Sequence, residues 1–251
     1  MSEQPASSIP PFTRVLLALL LPIAGAALFS LLAGGSAALS DESQSGRALQ
    51  FAGAGLVSWF VGWRWYSLKG LGLRGGRPLM AGIGFATLAW LAFIVVRFVA
   101  VEVANYGSPE GARTFIYLLL FEAFCTQLWA YGLFFRSVAD WHGPLTAAVS
   151  AGILFGALAF LFFQESFAAI PSGLLYFTVW GVLYGVIRLR TGSFLGPLVV
   201  QALQSWTTWY VMAPLDPVNT GELRNLYLIS SAIYLIIIWR LWPRQESDYR
   251  V

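Results

Sequence analysis

Charge, cysteine and histidine are what this sequence has least of. Only 11% of its 251 residues are charged, against about 25% in an ordinary soluble domain. There is one cysteine, Cys125, and one histidine, His142. A single thiol excludes an internal disulfide, and one Cys with one His cannot complete a zinc site, so neither metal nor cofactor is expected. The opening MSEQPASSIPPFTR lacks the basic start and small-residue cleavage site of a signal peptide, so the first apolar run reads as a retained helix. A net charge of +3 is too small to argue for a nucleic-acid partner.

What is present is apolar: 58% of the residues are hydrophobic and the mean hydropathy is +0.69. The fold class is therefore all-α, a polytopic transmembrane helical bundle in a single domain, 1–251, whose immediate partner is the lipid bilayer. Apolar runs predict eight spans, about 13–34, 49–67, 79–101, 113–136, 144–163, 168–187, 194–212 and 223–242. With the N-terminus inside, eleven of the fifteen basic residues fall on the inner side: Arg14, Arg64, Lys69, Arg74, Arg77, Arg136, Arg188, Arg190, Arg240, Arg244 and Arg250. Arg47, Arg113 and Arg224 fall outside, beside Asp41, Glu42, Glu102, Glu110, Glu165, Asp216 and Glu222. An even number of spans with both termini cytoplasmic satisfies that bias. The expected location is integral and multi-pass, in a bacterial inner (plasma) membrane.

The run from Thr114 to Arg136, TFIYLLLFEAFCTQLWAYGLFFR, is long enough to cross a bilayer and carries Glu122 near its middle. An ionisable group at that depth costs a few kcal/mol, roughly, and normally faces a bundle interior, so Glu122 is the first candidate for function. Arg97, near the outer end of the third predicted span, has two readings. It either snorkels outward towards Glu102 or pairs with Glu122 on the neighbouring helix. In the seventh span Gln201, Gln204, Ser205 and Thr208 recur at i, i+3, i+4 and i+7, so one helix face is polar and cannot point at lipid. That face serves either as hydrogen-bonding glue between helices or as one wall of a polar groove facing Glu122 or Tyr131. Gly181 and Gly185 mark a face where another backbone can approach closely.

The order of these pieces resembles a known family. YGLFFRS (131–137), SAGILFGALAF (150–160) and GVLYGVIRLRTGSFLGPLVVQALQS (181–205), with GLGLR after the second span, are similar to the CPBP family. This is the group of CAAX-prenyl-protease, abortive-infection and bacteriocin-processing intramembrane proteases, also called Rce-type. The resemblance covers about 68–210. It implies a motif of two glutamates and an arginine (Glu-Glu-x-x-x-Arg), then Phe-x-x-x-His, then His-x-x-x-Asn or Asp, with a glutamate activating water and the other groups orienting it or stabilising an oxyanion.

On this sequence the paired glutamates fall on Tyr131 and Gly132, while the arginine is kept as Arg136. The second motif keeps Phe155 but has Ala159 for histidine, and the third has Gln201 for histidine and Ser205 for the amide or acid. None of the replacements is a carboxylate base or an imidazole. Glu122 lies nine residues before Tyr131, about 13.5 Å along a helix axis, and so is not at the same station. His142 reads as an ordinary residue of an inner loop, and Cys125 as a small core residue. Three functions follow as expectations. The first is a non-catalytic member that binds a membrane peptide or protein partner in a polar groove; the second is a divergent endopeptidase using Glu122; the third is a carrier whose pathway includes Arg97 and Glu122.

Overall fold

The computed structural model describes residues 9–35, 41, 43–107, 111–163, 170–215 and 218–250. Glu42, Glu110, Glu165 and Asp216, counted above for orientation, and the first eight residues of the opening segment lie outside the described residues. The described chain forms nine helices: α1 (Pro11–Gly34), α2 (Gln44–Trp65), α3 (Leu68–Leu71), α4 (Arg77–Ala100), α5 (Gly111–His142), α6 (Pro144–Phe162), α7 (Pro171–Thr191), α8 (Leu195–Ser205) and α9 (Thr220–Leu241). Helix α8 runs on as a π-helical stretch, Trp206–Val211. Proline at the first turn of α1, α4, α6 and α7 removes an amide that would have no acceptor there.

Six of these helices, α1, α4, α5, α6, α7 and α9, are long and apolar enough to cross a membrane. The chain is an all-α, multi-pass membrane protein. The other two predicted spans are helices at the expected places, but they differ. Helix α2 carries Arg47, Gln50 and Arg64 and is less apolar, and α8 with its π-helical continuation is shorter than the six. Helix α5 is longer than predicted, passing through Arg136 to end at His142. His142 is thus the last residue of a helix rather than part of a loop, with its ring 3.9 Å from that of Trp141. A second departure is a two-stranded antiparallel ribbon, β1 (Val103–Tyr106) and β2 (Met212–Pro214), between the ends of α4 and α8.

Burial sorts the helices into layers. The most apolar stretch of α5 is 78% buried and that of α7 72%, against 28% in α1 and 22% in α4. Helices α5 and α7 are therefore the inner pair, and the outer helices turn large apolar side chains such as Leu32, Val95 and Val99 outward, as lipid-facing surfaces require. Helix α6 packs along α7 through the small-residue face anticipated at Gly181 and Gly185. Gly152 and Gly156 oppose it so closely that a Cβ on any of the four would collide with the facing backbone.

The segment after α3 is fixed as tightly. Gly72 is left-handed at φ +94°, its carbonyl accepts from Phe194 N at 3.2 Å, and a Cβ there would lie 2.6 Å from Arg188 Cζ. Ser193 Oγ donates to the Arg74 carbonyl at 2.8 Å, so the GLGLR segment is laced to the TGS turn. Gly72→Ala therefore meets both an unfavourable backbone region and a rigidly held guanidinium. The expected loss is about 2–3 kcal/mol of stability, read as a lowered midpoint in detergent unfolding.

Candidate functional site

Helix α5 carries the positions that matter, and it is not a uniform α-helix. Leu118–Ala123 and Leu128–Phe134 are π-helical, separated by one α turn, Phe124–Gln127. Phe124 N accordingly bonds to Leu119 O, five residues back, and Phe135 N to Ala130 O. Such wide turns are uncommon and recur at functional sites. Glu122 sits in the first of them and Tyr131 and Gly132 in the second, while Thr208 sits in the π-helical end of α8.

Glu122 is buried at 1% exposure, and its backbone carbonyl accepts from Thr126 Oγ1. Its helix neighbour Cys125 is also buried, with Sγ 3.3 Å from Leu120 O, and packs where Gly55 lets α2 approach.

The family-motif positions Tyr131 and Phe155 meet in a packed aromatic centre. Tyr131 is wholly buried and its hydroxyl donates to the Gly181 carbonyl at 2.7 Å. Phe155 places its ring 5.7 Å from that of Tyr131, 5.5 Å from Trp180 and 5.8 Å from Tyr184. Ala159, on the same helix, is fully buried, and Gly132 lies close to Leu128, Phe194 and the Leu71 carbonyl. A buried phenol bonded to a carbonyl cannot act as a carboxylate base, and neither alanine nor glycine has a group to contribute. Arg136 points away from this centre. It pairs with Asp140 at 3.1 Å, stands over the Tyr66 ring at 5.9 Å, and shares Asp140 with Arg14.

The polar face of α8 is closed rather than groove-like. Gln201, Gln204, Ser205 and Thr208 are each at most 2% exposed, and their bonds run in several directions. Gln201 Oε1 accepts from Gln127 Nε2 at 2.8 Å, which joins α8 to α5 midway between Glu122 and Tyr131. Gln204 Nε2 reaches the Tyr176 hydroxyl at 2.9 Å and that of Tyr234 at 3.3 Å, tying α8 to α7 and α9. Thr208 Oγ1 donates to its own helix at the Gln204 carbonyl, 2.6 Å. A cavity does lie elsewhere, apolar and set between α1, α2, α5 and α6 around Phe51 and Trp129.

The Gln127 and Gln201 amides are left half used. Gln127 Oε1 and Gln201 Nε2 are both buried without a hydrogen-bond partner, an arrangement that costs about 1–3 kcal/mol per group and is uncommon in native interiors. Turning both amides over exchanges the roles but again leaves one acceptor and one donor unused.

Arg97 follows neither reading of the sequence. It is fully buried rather than snorkelling, and its three nitrogens go to backbone carbonyls rather than to the Glu122 carboxylate: Nε to Thr208 at 3.1 Å, Nη1 to Val101 at 2.7 Å and Nη2 to Met212 at 2.8 Å. The guanidinium also lies 5.0 Å over the Trp209 ring. These carbonyls are free because α4 and α8 both end there, which the apolar pattern of the spans did not reveal.

Two further residues escaped the sequence reading. Gln127 lies inside the apolar run five residues after Glu122, a polar side chain where lipid contact is excluded, and this was the available signal. Arg188, counted above only as an inner-side charge, is fully buried. It donates to Tyr131 O at 3.3 Å and Gly70 O at 3.2 Å, with the Phe135 ring 5.1 Å from its guanidinium carbon.

Residues 108–207 match the family described as type II CAAX prenyl endopeptidase Rce1-like. No curated protein matches the chain significantly.

Proposed function

We propose, from the membership of residues 108–207 in the CAAX-protease family, that this chain is a non-catalytic member of it. Its role is to hold a membrane-embedded peptide or protein partner by hydrogen bonding in its interior. We read it as crossing a bacterial inner membrane eight times, with both ends cytoplasmic. The observation that carries the binding half is the unused acceptor of Gln127 and the unused donor of Gln201, both buried on side chains already bonded to each other. One acceptor and one donor match the N–H and C=O that a backbone offers, and neither amide can titrate, so the site would hold a backbone without attacking it. The π-helical turns on α5 and α8 flank this pair and are where those helices can yield to admit a partner.

The test has two arms. A photoreactive side chain at Tyr131 or Gln204 is expected to capture one membrane protein in native membranes, and Gln127→Leu with Gln201→Leu is expected to reduce that capture roughly 10- to 100-fold, the loss of about two hydrogen bonds. Adducts to lipid alone would count against a partner. In the second arm, purified protein in proteoliposomes is expected to leave membrane peptides uncut. Cleavage that vanishes with Glu122→Gln would instead establish a relocated endopeptidase.

A further inference from the structure

The last turns of α7 and α9, with the segment that follows α9, line a strongly basic pocket that has no part in the interior just described. A cavity of about 490 Å3 is lined by Arg190, Arg240, Trp242, Arg244, Gln245 and Asp248. Three guanidiniums face one carboxylate, leaving a formal +2, because 3 − 1 = 2. Asp248 is already engaged: its Oδ2 accepts from Arg244 N at 3.1 Å and Gln245 N at 3.4 Å, and its Oδ1 is 3.9 Å from Arg190 Nη2. Arg190 is held in turn by the Leu241 carbonyl at 3.2 Å. Among the described residues, the guanidiniums of Arg240 and Arg244 have neither an ion pair nor a hydrogen bond.

The pocket lies where two membrane-crossing helices end, with a tryptophan in its wall, which is the level of lipid headgroups. One turn before Arg240 the outer face of α9 is apolar and open, with Leu235 52%, Ile236 61% and Trp239 66% exposed. An acyl chain can run along that face while its phosphate enters the pocket, and basic pockets between helix ends suit anionic headgroups. We infer that this pocket binds the phosphate of an anionic phospholipid, with Arg240 and Arg244 as the recognising groups and Arg190 and Asp248 fixing its floor.

The experiment uses the full chain in neutral detergent, titrated with short-chain phosphatidylglycerol, short-chain phosphatidylcholine or inorganic phosphate, with the unfolding temperature as readout. Phosphatidylglycerol is expected to raise it, and the other two to leave it unchanged. Arg240→Gln and Arg244→Gln, alone and together, are expected to weaken the apparent affinity roughly fivefold for each arginine removed. Their untitrated unfolding temperature should stay the same, since neither guanidinium bonds to the protein. Mass spectrometry of the intact complex should show retained phosphatidylglycerol on the unmodified chain and little on the double variant. An undiminished phosphatidylglycerol response in the double variant would overturn the site. An equal response to phosphatidylcholine would overturn the charge recognition, and an equal response to inorganic phosphate would make the ligand a soluble anion rather than a lipid.

Discussion

Replacing Arg97 with methionine is expected to destabilise the protein by roughly 3–5 kcal/mol, a cost typical of breaking a buried charged hydrogen-bond set. The side chains are similar in length, so little volume is lost. What disappears is the common donor to the Thr208, Val101 and Met212 carbonyls, which lie at the ends of α4, α8 and the first residue of β2. Removing a buried guanidinium also removes its desolvation cost, which is why the estimate stays below three full unsatisfied carbonyls. Arg97→Lys, with one ammonium reaching a subset of the three, should fall between. Unfolding in detergent followed by circular dichroism measures the loss, and protease cutting near β1 and β2 should rise in parallel. A change below about 1 kcal/mol would mean that the carbonyls find other donors.

Gly152→Val carries the second large effect. A Cβ at Gly152 would stand 2.5 Å from Val182 N and 2.6 Å from Val182 Cα. Both are backbone atoms, so no rotamer change can relieve the clash. Helices α6 and α7 must separate, which loosens the Phe155, Trp180 and Tyr184 ring packing and the Tyr131 bond to Gly181. Overpacking in a dense core typically costs about 1–3 kcal/mol, and the loss of these contacts places the expected value at or above the top of that range. The same substitution at Gly84, where nothing lies within 4 Å, should be close to neutral and serves as the control.

The fold was legible because lipid leaves few options: long apolar runs must be helices, and a polar face on one of them must be turned inward. Glu122 and the face of Gln201, Gln204, Ser205 and Thr208 were placed in the interior by that reasoning, and the structure buries all five. The partners were not legible. The bond between Gln127 and Gln201 depends on the relative rotation of two helices, and both contain π-helical turns that break the 3.6-residue phase on which such pairing is read. Arg97 was misread because its acceptors are backbone carbonyls, which carry no sequence signature. Arg188 was misread because counting charges per side says nothing about depth, and this arginine lies under the GLGLR segment rather than in water. The groove was expected because polar residues on a membrane helix need company, but side chains from α5, α7 and α9 supply that company and close the space.

The irregular winding of α5 also bears on how such a chain can change over generations. A π turn holds about one residue more than the α turn it replaces, so losing a single residue between Leu128 and Phe134 would rewind that stretch instead of breaking it. Everything beyond it, Arg136 and Asp140 included, would keep its facing relative to Glu122, because the wide turn gives up the residue that is lost. The same one-letter loss in the regular turn Phe124–Gln127 would instead rotate everything beyond it by roughly 100° and exchange which side chains look inward, so the wide turn marks where this helix tolerates a change of length.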